Sequence, residues 1–255
     1  MFKYTENIGR ATNMLNIIKV KDEQLFNETG AGLIASLLQS NPRAILGLAT
    51  GSTPVGVYQR LIELHREGVV SFKQASSYNL DEYIGLAEDH PESYRRFMNE
   101  KLFNHIDILP ENTHVPSGIA EDPAKAAADY NRLLETAGQI DLQLLGLGHN
   151  GHIGFNEPSS ELQGPTHIVE LDARTRQANA RFFASIDEVP THAITMGIGS
   201  ILQAKQILLM AKGEDKAEIV ARALKGPITT QCPASFLQTH PNVVVVLDQA
   251  AGGLV

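Results

Sequence analysis

The sequence holds a single cysteine, Cys232, which excludes an internal disulfide framework and any cysteine-rich zinc or iron–sulfur site. It is also short of positive charge. Against 29 Asp and Glu stand 21 Lys and Arg, a net charge of −8, which argues against the basic clusters on which nucleic acid or an anionic membrane surface docks. Neither is expected as a partner, and an anion that binds must be held by a local pocket. Long apolar runs are missing too: no stretch approaches the ~18 uncharged apolar residues of a membrane span, and the first 13 residues lack the apolar run of a signal peptide. A cytoplasmic location is therefore expected. What is present is ordinary, with 43% hydrophobic and 20% charged residues over 255 positions. That is room for one large α/β domain with a substantial core. Residues 1–13 carry no strong pattern and read as a flexible extension; residues 14–255 read as a single domain.

Leu15 to Val20 reads as a first strand. Asp22 then opens a segment whose Phe26, Leu33, Ile34, Leu37 and Leu38 share one helical face, until Asn41-Pro42 stops it. Further along, a strand from Ala75 and short apolar runs at Ala44–Ala49, Ile140–Leu147, Ala193–Ile198, Ile207–Ala211 and Val243–Leu247 alternate with helix-like segments. Apolar runs without strict alternation mark strands buried on both faces. The helices have recognisable starts at Pro54, Pro91, Asp122-Pro123 and Glu214. The order predicts an α/β fold with a mostly parallel sheet of about seven strands, helices on both faces and a site at the carboxyl ends of the strands.

Three of those strand ends carry polar chemistry. After Leu48 the chain runs Ala49-Thr50-Gly51-Ser52-Thr53-Pro54 into a helix. Close backbone approach at Gly51, free N–H groups and two hydroxyls suit a phosphate, although Ser-Thr-Pro is also good capping chemistry. The segment is neither a Walker A loop nor a dinucleotide fingerprint. The second end is Asn79-Leu80-Asp81-Glu82-Tyr83; successive side chains on extended backbone point opposite ways, so at most one of the two acids faces a pocket. The third, Gly146 to Pro158, holds four glycines, His149, Asn150, His152, Asn156 and Glu157, with little to pack, which favours a functional loop. A histidine with its tautomer fixed by Glu157 would serve acid–base chemistry. A metal site at His149, His152 and Glu157 competes, but His-x-x-His on a glycine loop lacks the helical spacing that aims two imidazoles at one ion. Two cations follow: Arg181 in an arginine-dense segment, and Lys216 at a helix start, where it opposes the helix dipole and so hints at an anion.

Together the segments L-G-L-A-T-G-S-T-P, N-L-D-E-Y-I-G-L with H-P-E-S-Y behind it, G-H-N-G-H-I-G-F-N-E-P and T-R-Q-A-N-A-R-F-F resemble the glucosamine-6-phosphate deaminase (isomerase) family, from about Leu15 to Asp248. The resemblance implies a modified Rossmann-like fold. It also implies conversion of glucosamine 6-phosphate and water to fructose 6-phosphate and ammonia, in amino-sugar catabolism, with no metal or organic cofactor. By position it assigns Asp81 to proton transfer between C2 and C1, His152 to opening of the pyranose ring, and Glu157 to the partner of that histidine. Gly51, Ser52, Thr53, Arg181 and Lys216 fall at the phosphate site.

Two departures matter. Position 150 is Asn where some members carry Asp in the ring-opening group, which reduces the charge near His152. Members activated by N-acetylglucosamine 6-phosphate place basic residues shortly after N-E-P, where this chain has His167, Val169 and Glu170. A monomer or small homo-oligomer is expected rather than an allosteric hexamer. The rival readings are a deaminase for galactosamine 6-phosphate, a 6-phosphogluconolactonase, and a sugar-phosphate-sensing regulator. The lactonase pattern has D-E-R where Asp81-Glu82-Tyr83 stands and lacks F-N-E-P; the regulator needs a helix-turn-helix for which no segment is left.

Overall fold

The computed structural model describes residues 15–255, so the extension expected at residues 1–13 lies outside the described residues. The strands are β1 (Leu15–Val20), β2 (Ile45–Leu48), β3 (Ser76–Asn79), β4 (Asp81–Tyr83), β5 (Thr113–His114), β6 (Leu142–Leu145), β7 (His167–Glu170), β8 (His192–Thr195), β9 (Ile207–Ala211) and β10 (Val243–Asp248). The helices are α1 (Glu23–Ser40), α2 (Val55–Arg66), α3 (Tyr94–Lys101), α4 (Pro123–Ala137), α5 (Ala173–Asn179), α6 (Ile198–Leu202) and α7 (Ala217–Lys225).

Seven strands form one sheet in the order β1-β10-β9-β6-β2-β3-β5, every neighbouring pair parallel. All residues of β6 and β9, and all of β10 but its last, are buried. Since alternate side chains leave opposite faces, both faces of the sheet centre are covered, the Rossmann-like arrangement of a parallel sheet between helical layers. Capping chemistry sets the helix starts: Asp22 accepts the N–H of Leu25, Ser93 that of Arg96 and Asp122 that of Lys125.

One expected member of the parallel sheet lies elsewhere. The Ala193–Ile198 run contributes β8, the centre of a separate antiparallel sheet β4-β8-β7, and by Ile198 the chain is already in α6. An apolar run reports burial, not pairing direction. The seventh parallel strand is instead β5, only two residues long, at the edge beside β3. The two sheets meet at Leu80. Its N–H donates to the Leu48 carbonyl of the parallel sheet at 3.1 Å, and its carbonyl accepts the Met196 N–H just beyond β8 at 2.7 Å. Asp81 is thus the first residue after the change of sheet, set in register opposite Thr195. Among the described residues no helix is long and apolar enough to cross a membrane.

Candidate active site

Loops leaving the carboxyl ends of β2, β3, β6 and β9 surround a cleft of about 550 Å³, closed on another side by α5 and the turn after it. Asp81, Asn150, His152, Gly51, Ser52, Thr53, Arg181 and Lys216 all line it, and Glu157 stands behind His152.

In the loop after β2, Gly51 has φ +98°, while a Cβ there would meet nothing within 4 Å. Glycine is therefore required by the left-handed backbone rather than by crowding. The capping alternative for this loop is not realised: no side-chain hydrogen bond caps α2, so the Ser52 and Thr53 hydroxyls are not consumed there.

The two consecutive acids part company as the strand geometry demands. Glu82 turns from the cleft and accepts the N–H groups of Tyr83 (2.8 Å), Tyr94 (3.0 Å) and Arg95 (2.9 Å), holding the start of α3. Asp81 faces the cleft, only 6% exposed, and among the described residues no hydrogen bond or ion pair reaches its carboxyl. Burial, with the neighbouring Glu82 charge adding to it, pushes Asp81 up to about 8. A carboxyl tuned this way is a strong base once ionised.

The glycine-rich loop folds tightly on itself, Gly148 N–H donating to the His152 carbonyl and Gly151 N–H to that of Gly148, both at 3.0 Å. The His152 imidazole lies directly over Gly148, where any Cβ would collide with Nε2, Cδ2 and Cε1 of the ring. Nδ1 of His152 meets Glu157 Oε2 at 3.1 Å. Asn150 ties the pair together, its Nδ2 donating to the same oxygen at 2.5 Å while its Oδ1 accepts the His152 N–H at 3.1 Å. Burial alone would raise the Glu157 pKa, but hydrogen bonds from His152, Thr175 and Asn150 outweigh it and hold the carboxyl below the ordinary range. The arrangement fixes the orientation of the ring through Nδ1 and leaves Nε2 available for proton transfer. His149 turns away to pair with Asp215 at 2.7 Å at the exposed mouth, and among the described residues no group of three or more His, Cys, Asp or Glu is placed to hold a metal ion.

Lys216 ends the short turn before α7 and donates from Nζ to the Leu147 carbonyl at 2.8 Å. Burial depresses it to about 8; Asp215 works the other way, and the positive charge of Arg181 lowers it further. Two cations that repel across an open space mark a place for an anion. Arg181 lies in the turn after α5 with its guanidinium 4.7 Å from the centroid of the Phe182 ring. The arginine density of this segment has a partly structural cause, since Arg176 donates to the carbonyls of Ile186 (3.1 Å) and Val189 (3.0 Å).

Three further cleft residues stand inside the quoted motifs with no role assigned to them there: Thr175, Tyr94 and Asn179. Thr175 donates its hydroxyl to Glu157 Oε1 at 2.6 Å. The Tyr94 ring lies 4.8 Å from that of Tyr83, centroid to centroid, and stacks at 14° on that of Phe155. Asn179 donates to the Tyr83 hydroxyl at 2.8 Å. A usable signal was the spacing of Thr175 and Asn179, four apart on a helix and so on one face.

The sequence profile of the family described as glucosamine-6-phosphate isomerases/6-phosphogluconolactonase matches residues 23–246. A glucosamine-6-phosphate deaminase from Shewanella woodyi is 52% identical over 237 residues, covering 93% of this chain and 90% of that protein. One from Thermoanaerobacter pseudethanolicus is 48% identical over 239 residues, covering 94% of each. Among solved structures, a monomeric glucosamine-6-phosphate deaminase superposes with a TM-score of 0.92 at 44% identity, covering 94% of this chain and 100% of that one. A 6-phosphogluconolactonase from Trypanosoma brucei shares the fold, with a TM-score of 0.79 at 20% identity over 95% of this chain and 99% of that one. On these matches and on the fold, the chain belongs to the glucosamine-6-phosphate isomerase/6-phosphogluconolactonase family.

Proposed function

We propose that the chain is a glucosamine-6-phosphate deaminase, converting glucosamine 6-phosphate and water to fructose 6-phosphate and ammonia. The observation that carries this reading is one cleft holding a buried carboxyl, Asp81, with no partner among the described residues, a His152–Glu157 pair, and the two cations Arg181 and Lys216. The names of its relatives at 48–52% identity supply the substrate.

The Thr50–Thr53 loop, Arg181 and Lys216 hold the phosphate, which fixes the sugar in the cleft. His152, steadied by Glu157 and Asn150, moves the proton between ring oxygen and C1 hydroxyl that opens the pyranose. Asp81 as carboxylate takes the C2 proton, and the electron pair left behind forms the C1–C2 double bond of an enolamine as the C1=O π pair moves to O1, which takes up a proton from water. Returning the proton to C1 gives the C2 imine. Water adds at C2, and the C–N bond breaks as ammonia leaves. Every step is a proton transfer, an addition or an elimination that side chains of this cleft can serve.

We place the protein in the cytoplasm as a monomer or small homo-oligomer, with residues 14–255 as one domain. Ammonia release, measured beside fructose 6-phosphate formation, tests the reading with glucosamine 6-phosphate and galactosamine 6-phosphate in parallel. Turnover of the first well above the second is expected. Ammonia from galactosamine 6-phosphate alone would reassign the substrate, and hydrolysis of 6-phosphogluconolactone without ammonia from either sugar would overturn the deaminase.

A further inference from the structure

One short element reaches both halves of the cleft. From α5, Thr175 donates to Glu157 Oε1, and Asn179, one turn on, donates to the Tyr83 hydroxyl; Arg181 follows in the next turn. Thr175 is 7% exposed, so bulk water does not readily replace its hydroxyl.

The two oxygens of Glu157 are used unequally. Oε2 receives both His152 Nδ1 and Asn150 Nδ2, whereas Oε1 receives Thr175. The terminal torsion of a glutamate is soft, so donors converging on one oxygen leave the carboxylate plane free to turn about that point. A donor on the other oxygen removes the freedom. We propose that Thr175 is a positioning residue that fixes the plane of the Glu157 carboxylate, keeping Oε2 against His152 Nδ1 and the opposite ring nitrogen on the substrate. Thr175 acts through Glu157, and the inference rests on the ring-opening role given to His152 above. It extends that role by making the acid–base pair depend on α5, the element that also leads to Arg181.

Thr175→Val removes the hydroxyl and keeps the branched shape; Thr175→Ser keeps the hydroxyl and removes the methyl. With glucosamine 6-phosphate, Thr175→Val should lower kcat about tenfold, the scale of a lost hydrogen bond to a charged group, with KM little changed. A carboxylate with one donor fewer holds its proton more tightly, so carboxyl ¹³C titration of Glu157 in the free protein should be raised in the valine variant and returned in the serine variant, which should also restore kcat. A valine variant with native kcat and an unmoved Glu157 titration would overturn the assignment. So would equal losses in both variants, which would reduce Thr175 to packing. If the native protein releases no ammonia at all, the deaminase reading fails, while the carboxyl titration still decides what Thr175 does to Glu157.

Discussion

Replacing Asp81 by Asn should abolish turnover and stabilise the protein, and the two effects can be separated by pH. Burial raises the Asp81 pKa from an ordinary value near 3.8 to about 8, so the folded protein holds that proton more tightly than the unfolded chain does. Between about pH 4 and pH 8 the unfolded chain is ionised at this position while the folded protein is not. Each unit of rising pH therefore costs the native protein up to ~1.4 kcal/mol, and the loss levels off above about 8. Between pH 5 and pH 9 the ceiling is roughly 4 kcal/mol. The cleft is open and admits water beside the carboxylate, which screens part of the penalty, so about 2 kcal/mol is expected. Asp81→Asn removes the titration. Any hydrogen-bond cost of the amide itself is independent of pH and cancels in the comparison. Urea unfolding of both proteins at pH 5 and pH 9 measures the effect: the advantage of the variant should be larger at pH 9 by about that amount, while its turnover at pH 9, where Asp81 is ionised, falls at least ~10²-fold. An advantage that does not change with pH would mean that Asp81 is an ordinary ionised carboxylate, and a variant retaining native turnover would remove it from the reaction.

The same values predict the activity profile. With Asp81 and Lys216 both near 8, kcat/KM should rise toward pH ~8 as the carboxyl ionises and fall beyond it as the ammonium loses its proton. Lys216→Ala should raise KM at neutral pH and lose the alkaline limb; a limb that survives belongs to another group. Gly148→Ala places a Cβ inside the His152 ring, so the imidazole must move; kcat should drop ~10²-fold with KM much less affected, and native kcat would show the ring is free to shift without consequence. Substrate saturation should be hyperbolic, with N-acetylglucosamine 6-phosphate acting only as a competitor, because β7 offers His167, Val169 and Glu170 where an effector phosphate would need cations. A sigmoidal curve relieved by that sugar would place an activator site elsewhere.

Local chemistry was the most readable layer. Asp22 and Asp122 announce α1 and α4 because a capping side chain bonds a backbone N–H three residues on, an interaction held within the segment itself. Buried runs such as Ile207–Ala211 announce strands for the same reason. The direction of β8 was not readable, since the residues that pair with it, Asp81–Tyr83 and His167–Glu170, are distant in sequence and nothing in Ala193–Ile198 encodes them. β5, two residues long, has no period to detect. In the cleft, strand parity says that Asp81 and Glu82 face opposite ways without saying which faces inward; the family motif points to Asp81, and the fold turns Glu82 onto the start of α3. Thr175 opens the T-R-Q-A-N-A-R-F-F motif, but its role is not legible there because its partner Glu157 lies 18 residues away.

The place of β10 in the sheet bears on how the chain is made. Among the described residues β1 has one neighbour, β10, and β10 separates it from β9; Leu15 is paired with Val243, and Val243 in turn with Ile207. During synthesis β1 emerges more than two hundred residues before β10 and stays without that partner until residues 243–248 have left the ribosome, while β2, β3, β5, β6 and β9 can pair among themselves. An unpaired strand of that kind is a template for wrong partners. β1 carries the polar Asn16 and the charged Lys19 between its apolar residues, and both make it a poorer template for another chain. Among the described strands the one translated latest thus locks in the one translated earliest, and a nascent chain stalled short of Val243 leaves β1 undocked however complete its cleft residues are.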